Sequence, residues 1–162
     1  MRLTFTLNGE DIAVDDVSED MLLIDLLREK LGLMGTKRGC ESGTCGVCSV
    51  LVDDRLTRAC RTPAAKVMGR TVTTIEGLRG PDGTLSDLQA SFLARGAVQC
   101  GYCTPAMVIA AEALLRRTPR PTRAQIRAGI SSVLCRCTGY QQIVDAIELV
   151  AEQRAANREG LR

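Results

Sequence analysis

Residues Arg38–Cys60 read RGCESGTCGVCSVLVDDRLTRAC, which divides into a loop and a hairpin. Gly39, Gly43 and Gly46 are interleaved with Cys40, Cys45 and Cys48, and Ser42, Thr44 and Ser49 add little bulk. Such a loop has the backbone freedom to wrap a compact body while turning its thiols inward. Beyond it, Cys48–Val52 and Arg55–Arg58 flank Asp53-Asp54 as a short hairpin that returns the chain to Cys60.

The flanking sequence supplies the rest of a small sheet. Leu3, Phe5 and Leu7 alternate with polar residues, Asn8-Gly9 is a two-residue hairpin turn, and Ile12 and Val14 continue the alternation on the return. Ser18 is expected to cap a helix with the apolar stripe Leu22, Leu23, Leu26 and Leu27, which Gly32 stops. Arg70–Ile75 reads as a last strand. Past the turn sequence GLRGPDG at Gly77–Gly83 the period changes to that of helices. Ser86 with Gln89, Thr122 with Gln125 and Thr138 with Gln141 fit capping boxes, and Thr104 precedes Pro105 at a helix start. The helix after Pro105 carries only Glu112 as a charge before Arg116, which predicts a central position in a bundle. The expected architecture is α+β: a sheet domain over residues 1–76 and a four-helix domain over 84–155, with Ala155–Arg162 a frayed tail.

The eight cysteines divide four and four between these halves. Cys40, Cys45, Cys48 and Cys60 have the spacing C-x4-C-x2-C-x11-C, whose x4-x2 run is the plant-type [2Fe–2S] pattern. Cys100, Cys103, Cys135 and Cys137 form a C-x2-C and a C-x-C, each read as lying directly ahead of a helix, at Thr104 and Thr138. Two helix N-termini would then face one anionic centre. A catalytic thiol needs one low-pKa cysteine rather than four. Two other readings stay open on spacing alone. Disulfides are disfavoured in a reducing compartment, and zinc sites usually show paired C-x2-C knuckles.

Composition removes other function classes. The 162 residues carry 21 basic and 19 acidic side chains, a net charge of +2, which gives no reason to expect nucleic acid as a partner. No residue is histidine, which excludes imidazole bases, Ser-His-Asp triads and His-ligated metals. The longest apolar run, Ala106–Ala111, is too short to span a bilayer, and the N-terminus lacks a secretory pattern. No membrane insertion and a cytoplasmic location are therefore expected. The 18 arginines against 3 lysines suit fixed ion pairs with partner subunits, but genomic base composition is the better explanation of the bias.

GTKRGCESGTCGVCSV, AVQCGYCTP and LCRCTGYQQIVDAI closely resemble the iron–sulfur subunit of the molybdenum hydroxylases, the family of xanthine oxidase, aldehyde oxidase and aerobic carbon monoxide dehydrogenase. The resemblance implies a β-grasp ferredoxin-like domain followed by a four-helix bundle, each binding one [2Fe–2S] cluster. It implies partners too: a large subunit with molybdopterin, commonly as the cytosine dinucleotide, and a flavin subunit with FAD. By position it assigns Cys40, Cys45, Cys48 and Cys60 to one cluster and Cys100, Cys103, Cys135 and Cys137 to the other. It places Gln99 where the family has a glutamine that contacts the molybdopterin. Two departures stand out: Ala106 replaces a glycine common after CGYCTP, and Ser132-Val133 precedes Leu134 where Gly-Asn is frequent.

With no dinucleotide fingerprint, phosphate loop or acid–base pair, the chain itself has no catalytic residues. The expectation is the electron-transfer subunit of an oxidoreductase complex, relaying electrons from molybdopterin through the helical-domain cluster and then the ferredoxin-like cluster to flavin or another acceptor. The alternatives are a hydroxybenzoyl-CoA-reductase-type subunit with reversed flow, a free-standing two-cluster carrier, and a zinc-stabilised interaction module.

Overall fold

The computed structural model describes residues 1–80 and 82–160. Pro81, inside the GLRGPDG turn, and Leu161 and Arg162 of the expected tail lie outside the described residues. Strands β1 (Leu3–Leu7) and β2 (Glu10–Val14) pair antiparallel from Leu3↔Val14 to Leu7↔Glu10. Their turn has φ of 51° at Asn8 and 89° at Gly9, the two positive values this hairpin type requires. β3 (Ser49–Val52) and β4 (Arg55–Arg58) form the second hairpin around Asp53-Asp54, and β5 (Thr71–Thr73) is shorter than the sequence suggests. The sheet order is β2-β1-β5-β3-β4, with β1 and β5 parallel and the other pairs antiparallel. This is the expected β-grasp.

The first helix departs from expectation. Ser18 is not its cap: α1 (Leu23–Asp25) starts after Leu22 and continues as a π-helical turn over Leu26–Lys30. The backbone N–H groups of Asp25 and Leu26 both bond to the Leu22 carbonyl, which closes the first turn without a side-chain cap. Leu23, Ile24, Leu26 and Leu27 are fully buried against Leu3, Val50, Val52 and Val72, and Gly32 (φ 67°) ends the segment as read.

The opposite face of the sheet belongs to the helical half. α2 (Asp87–Ala94), α3 (Thr104–Arg117), α4 (Arg123–Ile130) and α5 (Gln141–Gly160) make the bundle. Leu51, pointing away from Val50 and Val52, packs with Ile109 and Ala113 of α3. Burying a side chain of this size contributes about 1.5–3 kcal/mol. Helix α3 is apolar on nearly every side because it meets helices and sheet, which bears out its central position. Both halves of the capping boxes at Ser86/Gln89 and Thr122/Gln125 are present. Thr104 and Thr138 are not caps: α3 is entered from Cys103, and α5 begins at Gln141. Helix α5 runs through Gly160, so Ala155–Gly160 is helical rather than frayed. Among the described residues no helix is long and apolar enough to cross a membrane.

Candidate metal centres

In the sheet half, the cysteine loop lies between the first helix and β3. Arg28 fixes its entrance by donating from Nη1 to the carbonyls of Met34 (3.1 Å) and Thr36 (2.8 Å). Arg38 then ties it to Asp25, Glu29 and Glu41. Inside the loop, backbone N–H groups already point at sulfur. Thr44 and Cys45 donate to Cys40 Sγ at 3.2 Å, and Cys40 donates to Cys45 Sγ at 3.4 Å. The Ser42 side chain and the Cys45 N–H favour the thiolate, lowering the exposed Cys40 to about 5. Burial pushes Cys48 up to about 11, with Cys60 beside it. Cys60 reaches Cys48 because the turn after β4 is pinned by Ala59 N–H donating to the Cys48 carbonyl at 3.2 Å.

Gly39 shows how closely the loop is wrapped. A Cβ there would stand 2.7 Å from Cys45 Sγ, so any side chain would fill the space the sulfurs face.

In the helical half, Cys103 immediately precedes α3 and Cys100 lies on the exposed approach. Burial pushes Cys103 up to about 12, and Cys135 lies within hydrogen-bonding reach of it. Cys137 is likewise beside Cys100. Burial acts to raise Cys135, but the Thr138 hydroxyl (3.1 Å) and N–H (3.4 Å) outweigh it and hold the thiol below its usual value. Thr138 therefore serves a sulfur rather than a helix end. Only α3 starts at the cysteines; α5 begins four residues after Cys137, so the expected pair of facing N-termini is reduced to one. Gln99 is exposed next to Cys100.

The structure thus brings together Cys40 with Cys45, Cys48 with Cys60, Cys103 with Cys135, and Cys100 with Cys137. Among the described residues no three His, Cys, Asp or Glu side chains close to the spacing of a single metal ion. Pairs of thiols suit a dinuclear core, which takes two thiolates on each of two irons, better than one tetrahedral zinc. The N–H donors aimed at sulfur and the vacant Cβ position at Gly39 fit that group.

Four contacts here were not read from the sequence. The Tyr102 hydroxyl donates to the Arg38 carbonyl across the two halves. The Tyr140 hydroxyl accepts from Cys135 N–H at 2.8 Å, and Tyr140 holds φ of 70°, rare for a bulky residue. Leu134 N–H donates to the Cys45 carbonyl at 2.8 Å. Gly46, at φ of 73°, lies against Ser132, whose carbonyl oxygen would be 2.0 Å from an added Cβ. Both tyrosines sit inside the quoted motifs, and that placement was the available signal.

The comparisons agree with these two centres. Residues 5–68 match the family described as "2Fe-2S iron-sulfur cluster binding domain", and residues 74–148 match "[2Fe-2S] binding domain". The chain is 44% identical over 158 residues to the "Nicotinate dehydrogenase small FeS subunit" of Eubacterium barkeri, covering 97% of this chain and 98% of that one. It is 44% identical over 138 residues to the "Nicotine 6-hydroxylase small subunit" of Paenarthrobacter nicotinovorans, covering 85% and 82%. The crystal structure of quinoline 2-oxidoreductase from Pseudomonas putida superposes with a TM-score of 0.90 at 43% identity, over 98% of this chain and 96% of that one. The chain belongs to the small iron–sulfur subunits of the molybdenum hydroxylases. As such a subunit it carries two [2Fe–2S] clusters and transfers electrons within an oxidoreductase complex, without a catalytic site of its own. The family sets aside the zinc module and the free-standing carrier, and relatives named dehydrogenase and oxidoreductase support the main reading over the reductase-type alternative.

The family's departures are accommodated. Ala106 is buried in α3, and the Ser132-Val133 segment keeps its turn through Val133 N–H donating to the Ile130 carbonyl at 3.0 Å.

Proposed function

We propose that Cys40, Cys45, Cys48 and Cys60 hold one cluster and Cys100, Cys103, Cys135 and Cys137 the other, in the pairs given above. The units responsible are residues 1–76 and 84–155. The observation that carries this reading is the arrival of four thiols at each of two places, with backbone N–H groups at sulfur in both. Each cluster, when bound, supplies reversible one-electron storage. The chain's own residues bias it: N–H donors favour the more negative, reduced state. The loop contact at Cys45 and Leu134 fixes the distance between the centres.

The relay runs from the helical half to the sheet half. Exposed Gln99 and Cys100 face a molybdopterin, in its cytosine dinucleotide form, on a large partner subunit. Gln99 offers an amide with two donors and one acceptor to that cofactor. Electrons leave from the sheet half to an FAD-bearing subunit or another acceptor, and the assembly is cytoplasmic. The relatives named dehydrogenase and oxidoreductase support oxidation at the partner's site. Purification of the tagged chain from its native host, with molybdenum and flavin measured in the recovered complex, tests this arrangement. Recovery of the iron-loaded chain alone at every salt concentration would contradict it.

A further inference from the structure

A concavity of about 340 Å³ is lined by Ser49, Leu56, Arg58, Arg61, Thr62 and Ser132. It flanks Cys60, and the Arg61 side chain lies over Gly43 in the cysteine loop, 2.9 Å from the position of an added Cβ. Arg58 and Arg61 are exposed, and neither forms an ion pair among the described residues. At the loop entrance the cations are engaged, Arg38 by Asp25, Glu29 and Glu41 and Lys37 by the Met34 carbonyl, whereas Arg55 at the far end of β4 is exposed without an ion pair among the described residues. The surface by the other cysteine set pairs one exposed arginine without an ion pair among the described residues, Arg136, with apolar surface, Tyr102 being 49% and Leu134 52% exposed.

The charge of the loaded chain sharpens the contrast. Side chains give +2, and two oxidised clusters with their thiolates bring about −2 each, for a total near −2. An acidic protein is therefore repelled by the molecule as a whole and attracted at Arg58 and Arg61, within about a Debye length of 10 Å at 0.1 M salt. We propose that Arg58 and Arg61 form the docking surface for an acidic protein that takes electrons from the sheet half. This rests on the relay reading above.

The test uses the full chain loaded with both clusters, checked by iron content and visible absorption. The oxidised chain is titrated calorimetrically at low ionic strength with an acidic c-type cytochrome and, separately, a basic one. The expected result is binding of the acidic cytochrome that weakens with salt and falls about tenfold in R58E/R61E. R117E/R158E, two exposed arginines elsewhere with the same change in net charge, should leave it unchanged. R58Q/R61Q should give an intermediate loss and guards against misfolding by charge reversal. No binding, equal loss in R117E/R158E, or an effect on reoxidation by ferricyanide but not on cytochrome binding would overturn the docking surface. A chain that holds no iron would overturn the relay reading itself, and the docking proposal with it.

Discussion

The backbone N–H of Leu134 donates to the carbonyl of Cys45 at 2.8 Å, so the loop of one cysteine set is hydrogen-bonded to the loop of the other. Leu134 adjoins Cys135, and Gly46, next to Cys45, packs on Ser132. The two centres are therefore held at one separation by backbone, in addition to the apolar seam of Leu51 with α3.

Gly46→Ala tests that junction. The substitution meets both a left-handed φ of 73° and a carbonyl oxygen 2.0 Å away. Strain at such a position costs about 1–3 kcal/mol before the clash is counted. The melting temperature should fall by roughly 4–8 °C, and the magnetic interaction between the two reduced centres should weaken in EPR. An unchanged interaction would show that this contact does not set their separation.

Tyr140→Phe removes the acceptor of the Cys135 N–H, leaving a partly buried donor unpaired at a cost of about 1–3 kcal/mol. The EPR signal of the helical-half centre should shift while that of the sheet-half centre stays fixed. Equal shifts in both signals would mean that the hydroxyl acts through the whole fold rather than through Cys135.

The bundle should show a specific acid sensitivity. Arg154 of α5 holds Asp87 of α2 through two bonds of 2.7 and 2.8 Å and Glu112 of α3 at 2.8 Å. Its hydrogen bonds keep the Asp87 carboxyl below the ordinary 3.8. A depressed folded-state value means stability that is present above the unfolded value and lost as pH falls through the folded one. Wild type should thus lose stability below about pH 4, and Arg154→Ala should lose about 1–2 kcal/mol at neutral pH with a flatter acid profile. Urea titrations at pH 7 and pH 3 measure both.

Gln99→Ala should leave both clusters assembled, since it removes neither a thiol nor a loop glycine. The recovered complex should retain less molybdopterin or show slower reduction of the helical-half centre by substrate in rapid-freeze EPR. Full occupancy with an unchanged rate would remove Gln99 from the cofactor contact.

The sheet was legible because alternation along β1, β2, β3 and β4 is local and because Asn8-Gly9 announces its own turn. The cysteine sets were legible from spacing and from the glycines between them. Errors arose where tertiary contacts decide. Ser18 has good capping chemistry, yet burial of Leu23 and Leu26 under the sheet moves the helix start past it. Thr138 and Gln141 have capping-box spacing, but the Cys135 sulfur and the Tyr140 N–H take the threonine hydroxyl instead. The link from Leu134 to Cys45 joins residues far apart in the chain through backbone atoms alone, so no side-chain pattern records it.

The central claim is that two independent cysteine sets each hold a [2Fe–2S] cluster, and iron analysis combined with EPR on Cys45→Ser tests it most directly. The wild-type chain should contain about four iron atoms and two reduced signals. Cys45→Ser should retain about two iron atoms and the helical-half signal alone. A wild-type chain that binds zinc in place of iron, or a folded Cys45→Ser protein that has lost both signals, would contradict the account.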